Sequence, residues 1–263
     1  MHIRTSHGLT DVGRKRKSNE DAYFVDDSLG LYVVADGMGG HAAGEVASEQ
    51  AVDSVYSMVK RGLPELRGKQ WASRAEYVRA LCRLMESAAQ AATYMVHVIA
   101  SMDREKSGMG STLSALLIDD GLAVTAQVGD SRIYRARRGQ VEQLTEDHTL
   151  LAWQVKHGLV SVADSKKMPN NVITRAVGSK DYVEVDTRLV DVGSGDAFLV
   201  CSDGLHGYVD KSDEIAAALA MPPMEASIQL VRWANERGGR DNITAVVVRV
   251  MDDLEATRGA GST

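Results

Sequence analysis

Residues 113–132 read LSALLIDDGLAVTAQVGDSR, and this stretch decides how the chain folds. Two apolar runs, 113–118 and 122–128, are separated by Asp119-Asp120-Gly121. An acidic residue followed by glycine favours a tight hairpin turn, because glycine easily adopts the left-handed backbone conformation that such a turn needs. We therefore predict two antiparallel strands, the second of which ends at Gly129-Asp130.

The same signal recurs directly downstream. Residues 133–137 and 141–144 flank Arg138-Gly139-Gln140, which predicts a second hairpin. Short continuous apolar runs, typical of strands buried on both faces, occur at 31–35 (LYVVA), 197–201 (AFLVC) and 244–250 (TAVVVRV). Since hairpins predominate and the helices come in blocks, the pattern favours an α+β fold with antiparallel sheets over a parallel βαβ fold.

Helical periodicity is strongest in two segments. The first covers 41–60, and Gly62 with Pro64 predicts its end; its apolar face comprises Ala47, Ala51, Val55 and Met58. The second begins near Tyr77, with a stripe formed by Leu81, Leu84, Ala88, Ala91, Met95 and Val98. Met95, and Trp233 in a later helix, are expected in the core. Three shorter helices are predicted at 148–157, 211–220 and 224–237.

The composition narrows the class of protein. A chain of 263 residues fits one large domain or two small ones, and its net charge of −6 argues against a general nucleic-acid binder. Two cysteines are too few for a disulfide framework, and no apolar run approaches the roughly 20 residues that cross a bilayer. We expect a soluble, cytoplasmic protein with one domain at 1–253 and a disordered tail at 254–263.

Acidic residues stand where the predicted strands begin or end. They are Asp36 after LYVVA, Asp203 after AFLVC, Asp130 after the second hairpin strand, Asp241 before TAVVVRV, and Glu20-Asp21 before the strand-like run 22–25. Aspartate is common in turns, so each instance alone is more often a turn residue than a functional one. Five such sites in one domain indicate a shared cleft, where carboxylates repel one another unless cations neutralise them.

The donor types indicate which cation this cleft would take. Carboxylates, a main-chain carbonyl and water suit Mg²⁺ or Mn²⁺. The seven histidines are scattered and the chain contains no Cys-x-x-Cys, which argues against zinc. The EF-hand, Walker A and kinase glycine-loop patterns are also missing from the sequence.

Eight segments, taken in order, form a specific set that spans about Thr10 to Val250. They are RKSNED (16–21), VVADGMGGHAAGEVAS (33–48), GSTLSALL (110–117), QVGDSR (127–132), LTEDHTL (144–150), ITRAVG (173–178), LVCSDGL (199–205) and GGRDNITAVVV (238–248). This set resembles the metal-dependent serine/threonine protein phosphatases of type 2C (the PPM family), in their compact bacterial form.

The resemblance implies a fold and a metal centre. The fold would be a β-sandwich of two antiparallel sheets flanked by helices on both sides, in four α-β-β-α layers. Two Mn²⁺ or Mg²⁺ ions would lie at one end: Asp36 would bridge them, Gly37 would bind the second through its carbonyl, and Asp203 and Asp241 would complete the ligands of the first.

The remaining site residues carry over from the same motifs. Glu20 and Asp21 would act near the second ion, partly through water. Asp130, together with Asp203, would hold a third, weaker ion. Arg16 matches the arginine that grips the substrate phosphate, while its neighbours in the basic run 14–17 are expected to form a solvated stretch.

The implied reaction is hydrolysis of phosphoserine and phosphothreonine in proteins. A water or hydroxide that bridges the two ions would attack phosphorus in line, without a covalent enzyme intermediate, and would reverse a bacterial serine/threonine kinase. The implied partners are phosphoproteins and a cognate kinase, with no nucleic acid and no membrane span, and we expect a monomer.

Animal members carry a general-acid histidine where this chain has Met38, which has no proton to donate. A metal-bound water is the preferred donor and His41 the alternative.

Two other functions stay open at this point. A non-catalytic phosphoprotein-binding relative is disfavoured, because such relatives normally lose a metal aspartate and Asp36, Asp203 and Asp241 are all present. A metallohydrolase acting on small phosphorylated metabolites would use the same ions.

The segment 150–172 stands in the place of the family's flap and is expected to tune substrate choice. His148 beside it is expected to cap or pack a neighbouring turn, and Thr174-Arg175 to give structural support.

Overall fold

The computed structural model describes residues 2–39, 43–165, 168 and 172–252. Its strands are β1 (His2–Asp11), β2 (Asp21–Asp26), β3 (Leu31–Met38), β4 (Gly110–Ser111), β5 (Leu113–Asp119), β6 (Leu122–Val128), β7 (Arg132–Arg137), β8 (Gln140–Gln143), β9 (Asp186–Asp191), β10 (Ala197–Cys201) and β11 (Ile243–Asp252). Its helices are α1 (Ala43–Gly68), α2 (Arg74–Met102), α3 (Leu150–Lys156), α4 (Val162–Ser165), α5 (Asp203–His206), α6 (Ser212–Leu219) and α7 (Pro223–Glu236), with a 3₁₀ turn at Arg104–Lys106. His41 and the tail 254–263 lie outside the described residues.

The strands form two antiparallel sheets. Their orders are β1-β11-β10-β7-β8 and β2-β3-β5-β6-β9, with β4 paired to β3. Both predicted hairpins are confirmed, β5 with β6 and β7 with β8. Their turns place two successive residues at positive φ, Asp120-Gly121 at 46° and 71° and Arg138-Gly139 at 52° and 76°. Such turns match the right-handed twist of paired strands, which is why a two-residue connection suffices.

Three apolar cores separate four layers. In β3, Leu31 and Val33 pack under α1 and α2, while Tyr32 and Val34 point between the sheets. In β10, Phe198 meets this inner core and Leu199 faces α6 and α7. Strands covered on both faces are mostly apolar along their whole length, so the continuous runs follow from the layering. The predicted four-layer α-β-β-α fold is confirmed. Within the described part of the chain, every helix is too short or too polar to cross a membrane.

The predicted end of the first helix was wrong. Helix α1 continues through Gly62 and Pro64 to Gly68, and Leu63 is wholly buried. Burial of this turn against the core outweighs the backbone hydrogen bond that proline cannot donate. A Cβ on residue 62 would lie 2.6 Å from Cδ1 of Leu84, so the glycine lets α2 approach α1 closely.

The predicted stripe on α2 was only partly right. Leu81 and Ala88 are buried as expected, but Met95 is 41% exposed. The buried line instead runs through Met85, Ala88, Ala92 and Val96. Both lines satisfy helical spacing, and the buried face combines the long side chains of Leu81 and Met85 with small alanines. Trp233 packs against the outer core, as expected.

Candidate active site

Two aspartates face each other across neighbouring strands at one end of the sandwich. Asp21 on β2 and Asp36 on β3 are register partners. The main chain of Asp36 is fixed by Thr112, whose Oγ1 accepts from its N–H at 2.9 Å and whose N–H donates to its carbonyl at 2.9 Å. Like charges directly opposite in a sheet are destabilising, so this pair needs a compensating partner.

The Asp21 carboxylate is half satisfied. Its Oδ2 accepts hydrogen bonds from Ser202 Oγ at 2.7 Å and Thr244 Oγ1 at 2.6 Å. Its Oδ1 is buried and has no hydrogen-bond partner among the described residues. Since an unpartnered buried carboxylate oxygen is costly, this atom indicates a ligand that the protein itself does not supply.

Gly37 is required by the close approach of three backbone segments. Its N–H donates to the Glu20 carbonyl at 3.0 Å. A Cβ at this position would lie 2.0 Å from the carbonyl oxygen of Gly44 and 2.6 Å from that of Glu20. Only glycine therefore allows β3, the start of α1 and the residue before β2 to meet. The Glu20 carboxylate lies against Gly44 in the first turn of α1.

Asp203 and Asp241 join the cluster from the second sheet. Asp203 opens α5 directly after β10, and its carboxyl lies within hydrogen-bonding reach of Asp36. Its Oδ1 is the second buried carboxylate oxygen without a partner in the described part of the chain. Asp241 precedes β11 and accepts from Arg16 Nη2 at 2.8 Å. The structure thus brings the guanidinium of Arg16 together with the predicted carboxylates.

Asp130 lies in the turn that leaves β6, and its side chain is buried. Its carbonyl accepts from Nε2 of the buried His206 at 2.9 Å, which fixes the turn against α5. The neighbouring Arg132 does not neutralise it, because that guanidinium binds Asp147 through two hydrogen bonds of 2.9 and 2.7 Å.

The electrostatics follow from crowding these carboxylates in a poorly solvated place. Burial, followed by repulsion from Asp21, Asp203 and Asp241, raises the pKa of Asp36 well above its usual range. Burial raises the pKa of Asp21 to about 7, despite the two hydroxyl donors. Burial and then Asp203 raise the pKa of Asp130 to about 7. The hydrogen bond to Asp241 raises the pKa of Arg16, which keeps this guanidinium charged.

A divalent cation fits this arrangement. Hard oxygen donors surround the site, two of their atoms are buried without partners, and the only guanidinium that binds one of these carboxylates, within the described residues, is that of Arg16. Among the described residues, no group of three or more His, Cys, Asp and Glu side chains lies close enough together to hold a metal ion. The carboxylates are near enough to repel one another, and the fit of a cation rests on their chemistry and on the two unpartnered oxygens.

The sequence motifs did not reveal the part played by Asn242. Its Oδ1 accepts from the N–H of Glu20 at 2.8 Å, and its Nδ2 donates to the carbonyls of Val12 at 3.0 Å and Ser18 at 2.9 Å. This one buried amide therefore fixes the loop that carries Arg16 and Glu20. Its place directly after Asp241 was the only signal, because its partners lie more than 220 residues away.

The segment 150–172 follows His148, which bonds to the turn that carries Asp130. His148 is buried, donates its N–H to the Gly129 carbonyl at 2.9 Å and accepts from the Gly129 N–H through Nδ1 at 3.2 Å. Its predicted role in packing a turn is confirmed. Arg175 binds Asp186 and Glu184, which confirms its supporting role. The segment contains α3 and α4, and its residues 166–167 and 169–171 are outside the described residues.

Comparison with known proteins gives consistent matches over nearly the whole chain. The family model described as "Protein phosphatase 2C" matches residues 12–246. Protein phosphatase PhpP of Streptococcus pneumoniae is 34% identical over 252 residues, which is 93% of this chain and 97% of that protein.

Solved structures agree. The serine/threonine phosphatase PstP/Ppp of Mycobacterium tuberculosis superposes with a TM-score of 0.82 at 30% identity, covering 95% of this chain and all of that one. A structure of the PstP catalytic domain in complex with two manganese ions has a TM-score of 0.81 at 29% identity, covering 96% of this chain and all of that one. Fold, sequence and relatives together define a protein serine/threonine phosphatase. The chain belongs to the protein phosphatase 2C family.

Proposed function

We propose that this phosphatase hydrolyses phosphoserine and phosphothreonine in proteins with two Mn²⁺ or Mg²⁺ ions held by its carboxylate cluster, and thereby reverses a serine/threonine kinase. The observation that carries the proposal is the pair of buried, unpartnered carboxylate oxygens on Asp21 and Asp203. Burial of these charges lowers the stability of the folded protein, and binding of divalent cations for phosphate hydrolysis is a function that would offset this cost. The manganese complex of the PstP relative supports the same conclusion.

The donor set divides between the two sheets. Asp36 would bind both ions from β3, and Asp203 and Asp241 would complete the first from the second sheet. The Gly37 carbonyl, with Glu20 and Asp21 acting partly through water, would serve the second ion. Asp130 with Asp203 would hold a third. The ions, when bound, supply positive charge beside the phosphate and a water of lowered pKa.

The chain's own residues bind and orient the substrate. The side chain of Arg16 is half exposed, and its one described side-chain hydrogen bond, from Nη2 to Asp241, leaves the other guanidinium N–H groups free to bind two phosphate oxygens. Asn242 holds the main chain on both sides of this arginine. Met38 ends β3 and has no proton for the leaving serine or threonine oxygen, so another group must supply it.

A comparison of two aspartate variants tests the proposal. With a phosphothreonine peptide and Mn²⁺, we expect Asp203→Asn to lower kcat/KM by at least about 100-fold, because even the partners of metal ligands contribute 10- to 100-fold. Asp53→Asn, on the exposed face of α1, is the matched control and should retain wild-type turnover.

Two results would decide against the proposal. Turnover that persists in Asp203→Asn, or that needs no divalent ion, would remove the metal assignment. A higher kcat/KM for small phosphorylated metabolites than for the phosphopeptide would instead favour a metabolite phosphatase. A thermal melt of each variant shows whether lost activity reflects lost folding.

A further inference from the structure

Four exposed basic residues are close in the chain to two residues of the candidate active site, Arg16 and Asp241. Arg14, Lys15 and Lys17 flank the phosphate-binding Arg16 along the chain, and Arg240 directly precedes Asp241. Arg14 and Arg240 are brought together because the N–H of Arg14 donates to the carbonyl of Gly239 at 2.6 Å. We call these four residues, Arg14, Lys15, Lys17 and Arg240, the basic rim.

The backbone beneath the basic rim is firmly held. Asn242 binds the carbonyls of Val12 and Ser18, which lie on either side of the basic run. A Cβ on Gly13 would lie 2.2 Å from the carbonyl oxygen of Asp241, so the two loops are packed against each other. The backbone that carries the rim is therefore held in place next to Arg16, and the four side chains extend from it into solvent.

Within the part of the chain that the structure describes, no carboxylate neutralises the side-chain charges of the basic rim. Among the described residues, none of the four side chains forms an ion pair, whereas the nearby Arg237 binds Glu214 and Arg16 binds Asp241. The protein as a whole carries a net charge of −6, so a run of exposed cations is unusual for this chain. Exposed cations that no internal carboxylate neutralises are available to a bound partner.

We infer that the basic rim selects phosphoproteins whose phosphorylated serine or threonine is flanked by acidic residues. The inference rests on the proposed function, which places the substrate phosphate at Arg16. Neighbouring Cα atoms are about 3.8 Å apart, and an extended substrate advances by about 3.3 Å per residue. Carboxylates two or three residues from the phosphorylated one therefore come within reach of side chains one or two residues from Arg16. Charge repulsion disfavours basic flanks at the same positions.

The test compares three phosphothreonine peptides that differ only in whether the positions two and three residues away, on both sides, are Glu, Gln or Lys. For wild type with Mn²⁺ at low salt, we expect kcat/KM for the Glu peptide to exceed that for the Gln peptide about tenfold, the effect of two or three exposed ion pairs. The variant R14Q/K15Q/K17Q/R240Q should reduce this ratio to below about twofold, and added salt should reduce it in wild type.

Two controls isolate the basic rim. R61Q/K69Q/R79Q/R83Q removes the same charge from exposed positions near the far end of α1 and on α2, and should keep the wild-type ratio. Turnover of p-nitrophenyl phosphate, which has no flanks, should change in the rim variant no more than turnover of the Gln peptide does. Equal kcat/KM for the Glu and Gln peptides in wild type, or a ratio that survives in the rim variant, would overturn the inference.

A binding arm separates this inference from the proposed function. Asp203→Asn protein should bind a fluorescent Glu peptide about tenfold more tightly than the Gln peptide, whether or not any peptide is hydrolysed. If no phosphopeptide is turned over with any divalent ion, the proposed function fails while this arm still decides the role of the rim. If a single-stranded oligonucleotide displaces the Glu peptide more strongly than unlabelled Glu peptide does, the rim is a nucleic-acid patch and the inference is wrong.

Discussion

Asn242 shows how one uncharged residue can organise a charged site. Its amide uses three hydrogen bonds to hold the loop that carries Arg16 and Glu20, and the residue itself is only 4% exposed. Removal of a buried amide leaves its main-chain partners unpaired, at about 1–3 kcal/mol for each buried group that finds no water. In the mechanism proposed above, the position of Arg16 therefore depends on a side chain that would not touch the substrate.

For Asn242→Ala we expect both a lower thermal stability and a kcat/KM for phosphopeptide at least about tenfold lower, since small displacements of positioning groups cost activity steeply. The change should appear mainly in KM, because Arg16 would no longer be held at the phosphate. Steady-state kinetics and a thermal melt measure both effects.

The matched control is Ser227→Ala. Ser227 is also buried, and its Oγ donates to the Met224 carbonyl at 3.0 Å and lies 2.7 Å from Nδ1 of His7 on β1, so its partners are outside the loop that carries Arg16. It should lose stability and keep its KM. If Asn242→Ala keeps the wild-type KM, the amide has a structural role only.

At the scale of the element, the hairpins were the most predictable part of the fold and two polar edge strands the least. The turn residues at 119–121 and 138–140 predicted both hairpins because turn chemistry is local. Strands β1 and β9 were missed, since each lies at the edge of a sheet, is covered on few sides and has a polar sequence. Helix α1 was predicted too short because the packing that carries it through Pro64 comes from distant residues.

The second hairpin offers a clean test of backbone strain. Gly139 has a φ of 76°, and a Cβ there would meet no atom within 4 Å. Gly139→Ala should therefore destabilise the protein by about 1 kcal/mol through the backbone alone. Urea unfolding monitored by circular dichroism measures the change.

Gly68→Ala is the matched control, since it adds the same methyl group to an open position at the end of α1. Alanine is the better helix former, so we expect no loss of stability there. If the two variants unfold at the same urea concentration, the left-handed turn does not limit stability.

At the scale of the whole molecule, the fold brings six acidic side chains from both sheets to one end. The motifs predicted which carboxylates these would be, and their strand-end positions predicted that they would meet. The sequence could not reveal the two hydrogen bonds that hold the Asp21 carboxylate, because their donors Ser202 and Thr244 are 181 and 223 residues away. Nor did it indicate that both hydroxyls bind the same Asp21 oxygen, so that the other has no hydrogen-bond partner among the described residues.

This crowding makes a prediction for the metal-free protein. Burial raises the pKa of Asp130 to about 7, above the ordinary aspartate value near 4 that applies in the unfolded chain. The folded state thus favours the protonated form, so this contribution to stability is present at low pH and is lost as the pH rises from about 4 to about 7. Asp130→Asn removes the titrating group and should melt at an increasingly higher temperature than wild type across that window.

The comparison is made in EDTA by circular dichroism. His206 titrates in the opposite sense, because burial lowers its pKa to about 4, but this residue is present in both proteins and cancels in the difference. Asp53→Asn, on the exposed face of α1, is the control for an aspartate-to-asparagine change outside the acidic cluster. A difference for Asp130→Asn that is constant or falls with pH would contradict the pKa shift.

Under the proposed function, divalent ions bind beside the facing pair Asp21 and Asp36. This binding also affects how long the folded protein lasts in a cell. A ligand present at 100 times its Kd stabilises the folded state by about 2.7 kcal/mol, which lowers the unfolded fraction about 100-fold. Because proteases remove unfolded chains, differences of about 1–2 kcal/mol can change abundance several-fold. A cell short of divalent ions would then lose the enzyme by degradation as well as by inactivity, so its supply of metal would set how much phosphatase it keeps.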